Sequence, residues 1–140
     1  IVQLSEARAG LTREIEQLAG DVLPNCTALV GGVVAARILA AAGSLEDLAR
    51  LPSGTVQVLG ARTALFAHIR SGTPPPKHGI IYQDRRVHKA PRGRRGKVSR
   101  ALAAKLAIAA RIDFFRGERD DRFLDAARAA VERAGGGPGA

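Results

Sequence analysis

The sequence predicts an all-α fold into which one strongly basic, irregular segment is set. Two observations lead there. Apolar residues recur at spacings of three and four along several segments, the period of a helix with one buried face. They are mostly Ala, Leu, Val and Ile, with no Met or Trp and a single Tyr, Tyr82. Small aliphatic side chains let helices approach closely, and Ala has the best intrinsic helix propensity. No segment reads as part of a sheet, and no internal repeat is visible.

Taken in order, Gln3 to Ala19 places Leu4, Ala7, Leu11, Ile15 and Leu18 on a narrow apolar seam, with Glu6, Arg13, Glu14 and Glu16 mainly off it. Such a seam suits the end of a coiled coil or one arm of a helical hairpin. Pro24-Asn25 breaks the pattern, and Asn25 and Thr27 are both candidates to cap the helix that follows. That helix carries Leu29, Val30, Val33, Val34, Ile38 and Leu39 and is apolar nearly all round, so it is expected to be the central core helix. Gly31-Gly32 inside it allows close packing or a kink, and Gly43 ends it. Ser44-Leu45-Glu46-Asp47 is a capping-box variant opening a short helix that Pro52 stops. Ser53-Gly54-Thr55 starts another short turn, and Gly60 separates it from a helix of about Ala61 to Arg70.

Ser71 to Gly79 (SGTPPPKHG) contains three consecutive prolines, each fixing its φ, so the loop is stiff. Ile80-Ile81-Tyr82 is a short apolar anchor, and the stretch after it, through Gly96, is basic and loop-like. A long helix is expected from about Lys97 to Asp113. Its buried stripe is Leu102, Leu106, Ile108, Ala109 and Ile112, with Arg100, Lys105 and Arg111 on the opposite side. A last helix, about Asp121 to Ala134, turns Phe123, Leu124, Ala127 and Val131 inward, with Asp120 or Asp121 at its N-terminus. Residues 135–140 read as a flexible linker. The opening IVQLSEARAGL begins in mid-pattern, as a piece of a longer protein would.

Length and hydrophobic content (140 residues, 46%) allow one modest core. The formal net charge of +9 is concentrated: Arg62 to Lys105 holds 12 Lys or Arg and one acid, Asp84, whereas the remainder is balanced at −2. His68, His78 and His88 fall inside the same block. Positive charge packed this way neutralises phosphates and releases their counterions, giving steep salt dependence. A lipid surface also attracts basic segments, but this one is punctuated by Pro and Gly and lacks the apolar face of an interfacial helix. Nucleic acid is the expected partner. No signal peptide or membrane span is visible, and the single cysteine, Cys26, leaves no intramolecular disulfide, so a reducing, soluble compartment is expected.

No constellation for catalysis is found. Gly31-Gly32 lacks the spacing of a dinucleotide fingerprint, no phosphate-binding P-loop exists, and three histidines ten residues apart with one cysteine do not resemble a zinc site. Nothing beside Cys26 activates its thiol, which reads as a small core hydrophobe. The expectation is a binding module that needs no cofactor or metal and is not an enzyme. The segment SLEDLARLPSGTVQVLGARTALFAHI also suits a helix-hairpin-helix phosphate clamp, which would instead indicate a nucleic-acid repair or processing domain. A purely helical dimerisation module is a third reading.

PNCTALVGGVVAARILAAAGSLEDLARLPSGTVQVLGARTALFAHI, then GTPPPKHGIIYQ, then RGKVSRALAAKLAIAARID closely resembles the Nop domain family of ribonucleoprotein core proteins. GARTALFAHI (Gly60 to Ile69) and PPKHGIIYQ (Pro75 to Gln83) are its most specific pieces, in the family's order and spacing. The likeness covers about Leu23 to Phe115 and divides the chain into a coiled-coil end (1–20), a Nop domain (21–134) and a linker (135–140). It implies an all-α scaffold of a box C/D guide ribonucleoprotein, part of the RNA 2′-O-methylation machinery. Such a scaffold recognises kink-turn guide RNA already held by a small ribosomal-type kink-turn-binding protein. In the parent proteins it implies fibrillarin recruitment through a further domain and self-association through a coiled coil. The setting is cytoplasmic in archaea and nucleolar in eukaryotic relatives, with no membrane partner.

By position, the resemblance places His78 and Lys77 on the RNA, with Arg62 and Thr63 on the GARTALF helix and Arg50, Thr55 and His68 around them. A stiff loop suits an imidazole that stacks on an unpaired base. Within the loop, His78 also reads as hydrogen-bonded to its own backbone, and His68, beside Phe66 and Ile69, reads equally as packing. His88 reads as part of the basic surface. Arg92, Arg94, Arg95 and Lys97 form a second cluster, tracking a phosphate backbone or simply solvated. Arg62-Thr63 departs from the acidic-basic pair common in the family (GAEKALF), which leaves individual contacts there open.

Overall fold

The structure, a computed structural model, describes residues 2–61 and 79–137, and over these it is all-α, with no strand. It begins with α1 (Val2–Val22), followed by α2 (Pro24–Val30), α3 (Gly32–Ala42), α4 (Leu45–Arg50) and α5 (Ser53–Val58). After the undescribed stretch come a 3₁₀ turn (Ile80–Gln83), α6 (Arg85–His88), a second 3₁₀ turn (Arg92–Arg94), α7 (Arg95–Phe115) and α8 (Asp121–Ala134). The helix expected at 61–70 lies, but for Ala61, outside the described residues.

The core helix is α7. Its buried positions are Val98, Ser99, Leu102, Ala103, Leu106, Ala107, Ala109, Ala110 and Asp113, and α2, α4, α5 and α8 all pack on it. This corrects the expected stripe, since Ile108 is 37% exposed and Ile112 only half-buried. The alanines lie on the inner face instead, because close-set helices leave room for a methyl and not for isoleucine. The segment expected to be one central helix is two. Gly31 adopts φ +87°, which ends α2, while Gly32 opens α3 against α1 so closely that a Cβ there would lie 2.6 Å from the Glu16 Cα.

Charges hold α2 at both ends. Pro24 opens it, its missing N–H costing nothing at that position. The N-cap is neither of the candidates Asn25 and Thr27 but Leu23, whose side chain cannot cap. The free amides turn instead to Asp113 on α7. Its Oδ1 accepts from the Asn25 backbone N–H and from Asn25 Nδ2, each at 2.8 Å, and its Oδ2 from the Cys26 N–H at 3.0 Å. Asn25, itself fully buried, also donates to the Glu118 carbonyl and accepts from the Asp120 N–H, both at 2.8 Å, which fixes the α7–α8 loop. At the other end Arg128 of α8 donates to the Ala28 carbonyl at 2.9 Å and Arg86 to that of Leu29. A carboxylate at the positive end and guanidiniums at the negative end each favour the helix dipole, by up to about 2 kcal/mol where partly buried.

Local caps follow the expected chemistry. Ser44 Oγ accepts from the Asp47 N–H at 3.1 Å to open α4, and Asp120 Oδ1 from the Phe123 N–H at 3.0 Å to open α8. The Phe123 N–H bond above all, then Arg116, holds the Asp120 carboxyl below the usual carboxylate range. Ile81 anchors its 3₁₀ turn in the core at 1% exposure. The seam of α1 is uncovered in the isolated chain: Leu4, Leu11, Ile15 and Leu18 are all exposed.

Candidate nucleic-acid interface

The flanks of the undescribed segment meet at one corner. Gly79 donates to the Gln57 carbonyl at 3.1 Å and Ile80 to that of Leu59 at 2.9 Å, so the chain returns onto α5 where it left. Both glycines there are required by contact. A Cβ on Gly79 would sit 2.0 Å from the Leu59 carbonyl oxygen, and one on Gly60, at φ +85°, 2.5 Å from Ile80 Cγ1. Of the residues expected to face RNA, Arg62, Thr63, His68, Lys77 and His78 lie between these anchors, outside the described residues.

The others are placed. Arg50 ends α4, exposed and paired with Glu46 at 2.6 Å; an i,i+4 surface pair of this kind is weak, so breaking it costs little. Thr55 is exposed on α5. Both stand on short helices packed against α7, and Arg111 of α7 steadies α4 by donating to the Ala49 carbonyl at 3.2 Å. Arg92, Arg94 and Lys97 are exposed around the second 3₁₀ turn, with no ion pair among the described residues. Arg95 differs from its neighbours: half-buried, it donates to the His88 carbonyl at 3.1 Å.

Asp84, the sole acid of the basic block, is buried. It caps α6 through the Arg86 N–H and grips the Arg86 side chain through both oxygens, at 2.9 and 2.8 Å. The outer surface of this segment therefore shows cations with no acid among them. Arg85 and Lys89, exposed beside α6, belong to that surface and were not singled out from the sequence, although the run Asp84-Arg85-Arg86 marks a cap followed by two bases.

Cys26 is buried, and its burial, then the neighbouring Asp113 carboxylate, pushes the thiol well above the ordinary thiol range. It is a core side chain with no thiolate to offer. No three His, Cys, Asp or Glu residues group to hold a metal among the described residues, and no helix there is long and apolar enough to cross a membrane.

An all-α scaffold with a basic segment whose one acid is buried defines the class as a nucleic-acid-binding helical module. The family model described as "Nop, snoRNA binding domain, fibrillarin" matches residues 1–134. The chain belongs to the Nop family. It is 47% identical over 132 residues to a NOP5 family protein of Methanocaldococcus jannaschii, covering 94% of this chain and 32% of that protein. It is 40% identical over 121 residues to nucleolar protein 58 of Yarrowia lipolytica (86% and 24%), and 39% over 132 residues to nucleolar protein 56 of Mus musculus (94% and 23%). The chain thus spans about a third or less of these relatives. Among solved structures, a chain of a fibrillarin/Nop5p complex superposes with a TM-score of 0.75 at 42% identity, covering 94% of this chain and 50% of that one.

Proposed function

We propose that this chain is the RNA- and protein-recognition module of a box C/D guide ribonucleoprotein scaffold, acting by binding and catalysing nothing itself. Its ligand is kink-turn RNA already held by a ribosomal-type kink-turn-binding protein. The observation that carries the reading is the acid-free basic surface from Arg85 to Lys97, whose one carboxylate is buried as a cap. Family membership and the likeness to a chain of a fibrillarin/Nop5p complex support it. In sequence Arg62 follows Gly60-Ala61 and His78 precedes Gly79, so the Gly60–Gly79 corner is the natural centre of the interface. In the parent protein, fibrillarin docks on a further domain, and the exposed α1 seam pairs with a second copy in a coiled coil.

His78 is the sharpest test. If it stacks on an unpaired base, His78→Ala weakens the ternary complex by about 1–3 kcal/mol and uncovers one or two nucleotides in an RNA footprint. Unchanged affinity and footprint, with folding intact, remove His78 from the interface. Salt titration of Arg62→Ala checks the phosphate contacts, each lowering the slope of log affinity against log salt by about one unit.

A further inference from the structure

A cleft of about 710 Å³ opens between α6, the start of α7 and the end of α8, and no sequence motif drew attention to it. Arg85, Arg86, Lys89 and Arg128 wall it, against one acid, Glu132. These cations are of two kinds. Arg86 and Arg128 are fixed by the α2 carbonyls, and Arg86 by Asp84 as well, so their guanidiniums form a rigid inner wall. Arg128 Nε and Nη1 and Arg86 Nη1 make no hydrogen bond among the described residues. Arg85 and Lys89 stand exposed at the rim with no ion pair among the described residues. Pro91, Val98 and Val131 supply apolar surface.

Preorganised guanidiniums beside exposed cations suit a phosphate, since the inner donors need no ordering when it arrives. The volume lies within the roughly 300–1,000 Å³ of clefts that hold small ligands, and the apolar surface suits the sugar or base attached to that phosphate. Glu132 offers an acceptor to a ribose hydroxyl. The 3₁₀ turn bearing exposed Arg92 and Arg94 follows directly from Pro91, so a backbone leaving the cleft continues onto cations.

We propose that the α6–α8 cleft holds one nucleotide of the bound RNA, its phosphate on Arg85, Lys89 and the fixed guanidiniums of Arg86 and Arg128. This rests on the reading above that the partner is structured RNA. The test uses the full chain with kink-turn RNA and its primary binding protein, comparing wild type, the exposed double variant Arg85→Ala/Lys89→Ala, and an equal-charge control on α1, Arg8→Ala/Arg13→Ala. The cleft variant is expected to bind about tenfold more weakly, with a salt slope shallower by one to two units, while the α1 control matches wild type. Wild-type affinity and slope in the cleft variant overturn the cleft and leave the RNA reading standing; absence of salt-dependent binding by wild type overturns the RNA reading itself. Binding of a poly-glutamate peptide that the double variant abolishes, with RNA affinity unchanged, assigns the cleft to an acidic protein and also overturns the proposal.

Discussion

At the residue scale the fold turns on Asp113. It is 3% exposed and accepts three hydrogen bonds from the start of α2, a helix too short to hold itself. Asp113→Ala leaves those donors buried without an acceptor and is expected to destabilise the chain by about 3 kcal/mol or more in urea unfolding; a change below about 0.5 kcal/mol would show that α2 does not depend on it. Cys26 gives a second check. Its thiol is kept neutral in the fold, so the stability it contributes is complete below the ordinary thiol pKa and is lost as the pH rises above it. The native chain should accordingly resist a thiol reagent at neutral pH and react only on unfolding. Asp120 has the opposite sign: its lowered pKa gives α8 a stabilisation present above the ordinary carboxylate range and lost as the pH falls below it. Amide exchange of Phe123 in acid should report that loss. The Ser44 and Asp120 caps were legible in the sequence because donor and acceptor lie three residues apart. Asp113 and Asn25 are 88 residues apart, and no local pattern links them.

At the element scale the informative pair is Gly31-Gly32. Gly31→Ala forces a side chain to φ +87° and should cost about 1–3 kcal/mol. Gly32→Ala drives a methyl into the α1 backbone, at a similar cost. Gly20→Ala in α1 meets nothing within 4 Å and should stabilise by about 0.5–1 kcal/mol through helix propensity alone. Thermal melts of the three variants separate a backbone requirement from a general dislike of substitution; gains at all three positions would contradict the packing described. The sequence allowed a kink or close packing at this pair without choosing, because the choice depends on what lies opposite. Here α1 lies opposite Gly32, and the result is a full break. The same dependence moved the centre of the core to α7, where alanines at close contacts are buried more completely than Ile108 and Ile112.

At the scale of the whole molecule, the basic block was legible as a bias in charge but not as a surface. Which cations are drawn inward is decided by distant carbonyls: Arg86 reaches 57 residues back in sequence to Leu29, and Arg128 100 to Ala28. Arg85, Lys89, Arg92, Arg94 and Lys97 have no such partner among the described residues and form the outer face. The Nop resemblance rested on local motifs, and family membership agrees with it. Long-range charge of this kind should raise association rates with RNA and lose them with added salt. The composite site proposed above has a stricter consequence. The most direct measurement is the affinity of the chain for kink-turn RNA, with and without the primary kink-turn-binding protein, at one fixed salt concentration. Weak, salt-sensitive binding to RNA alone is expected, with binding tighter by tenfold or more to the preformed RNA–protein complex. Equal affinity for both, or equal affinity for duplex DNA of any sequence, would contradict it.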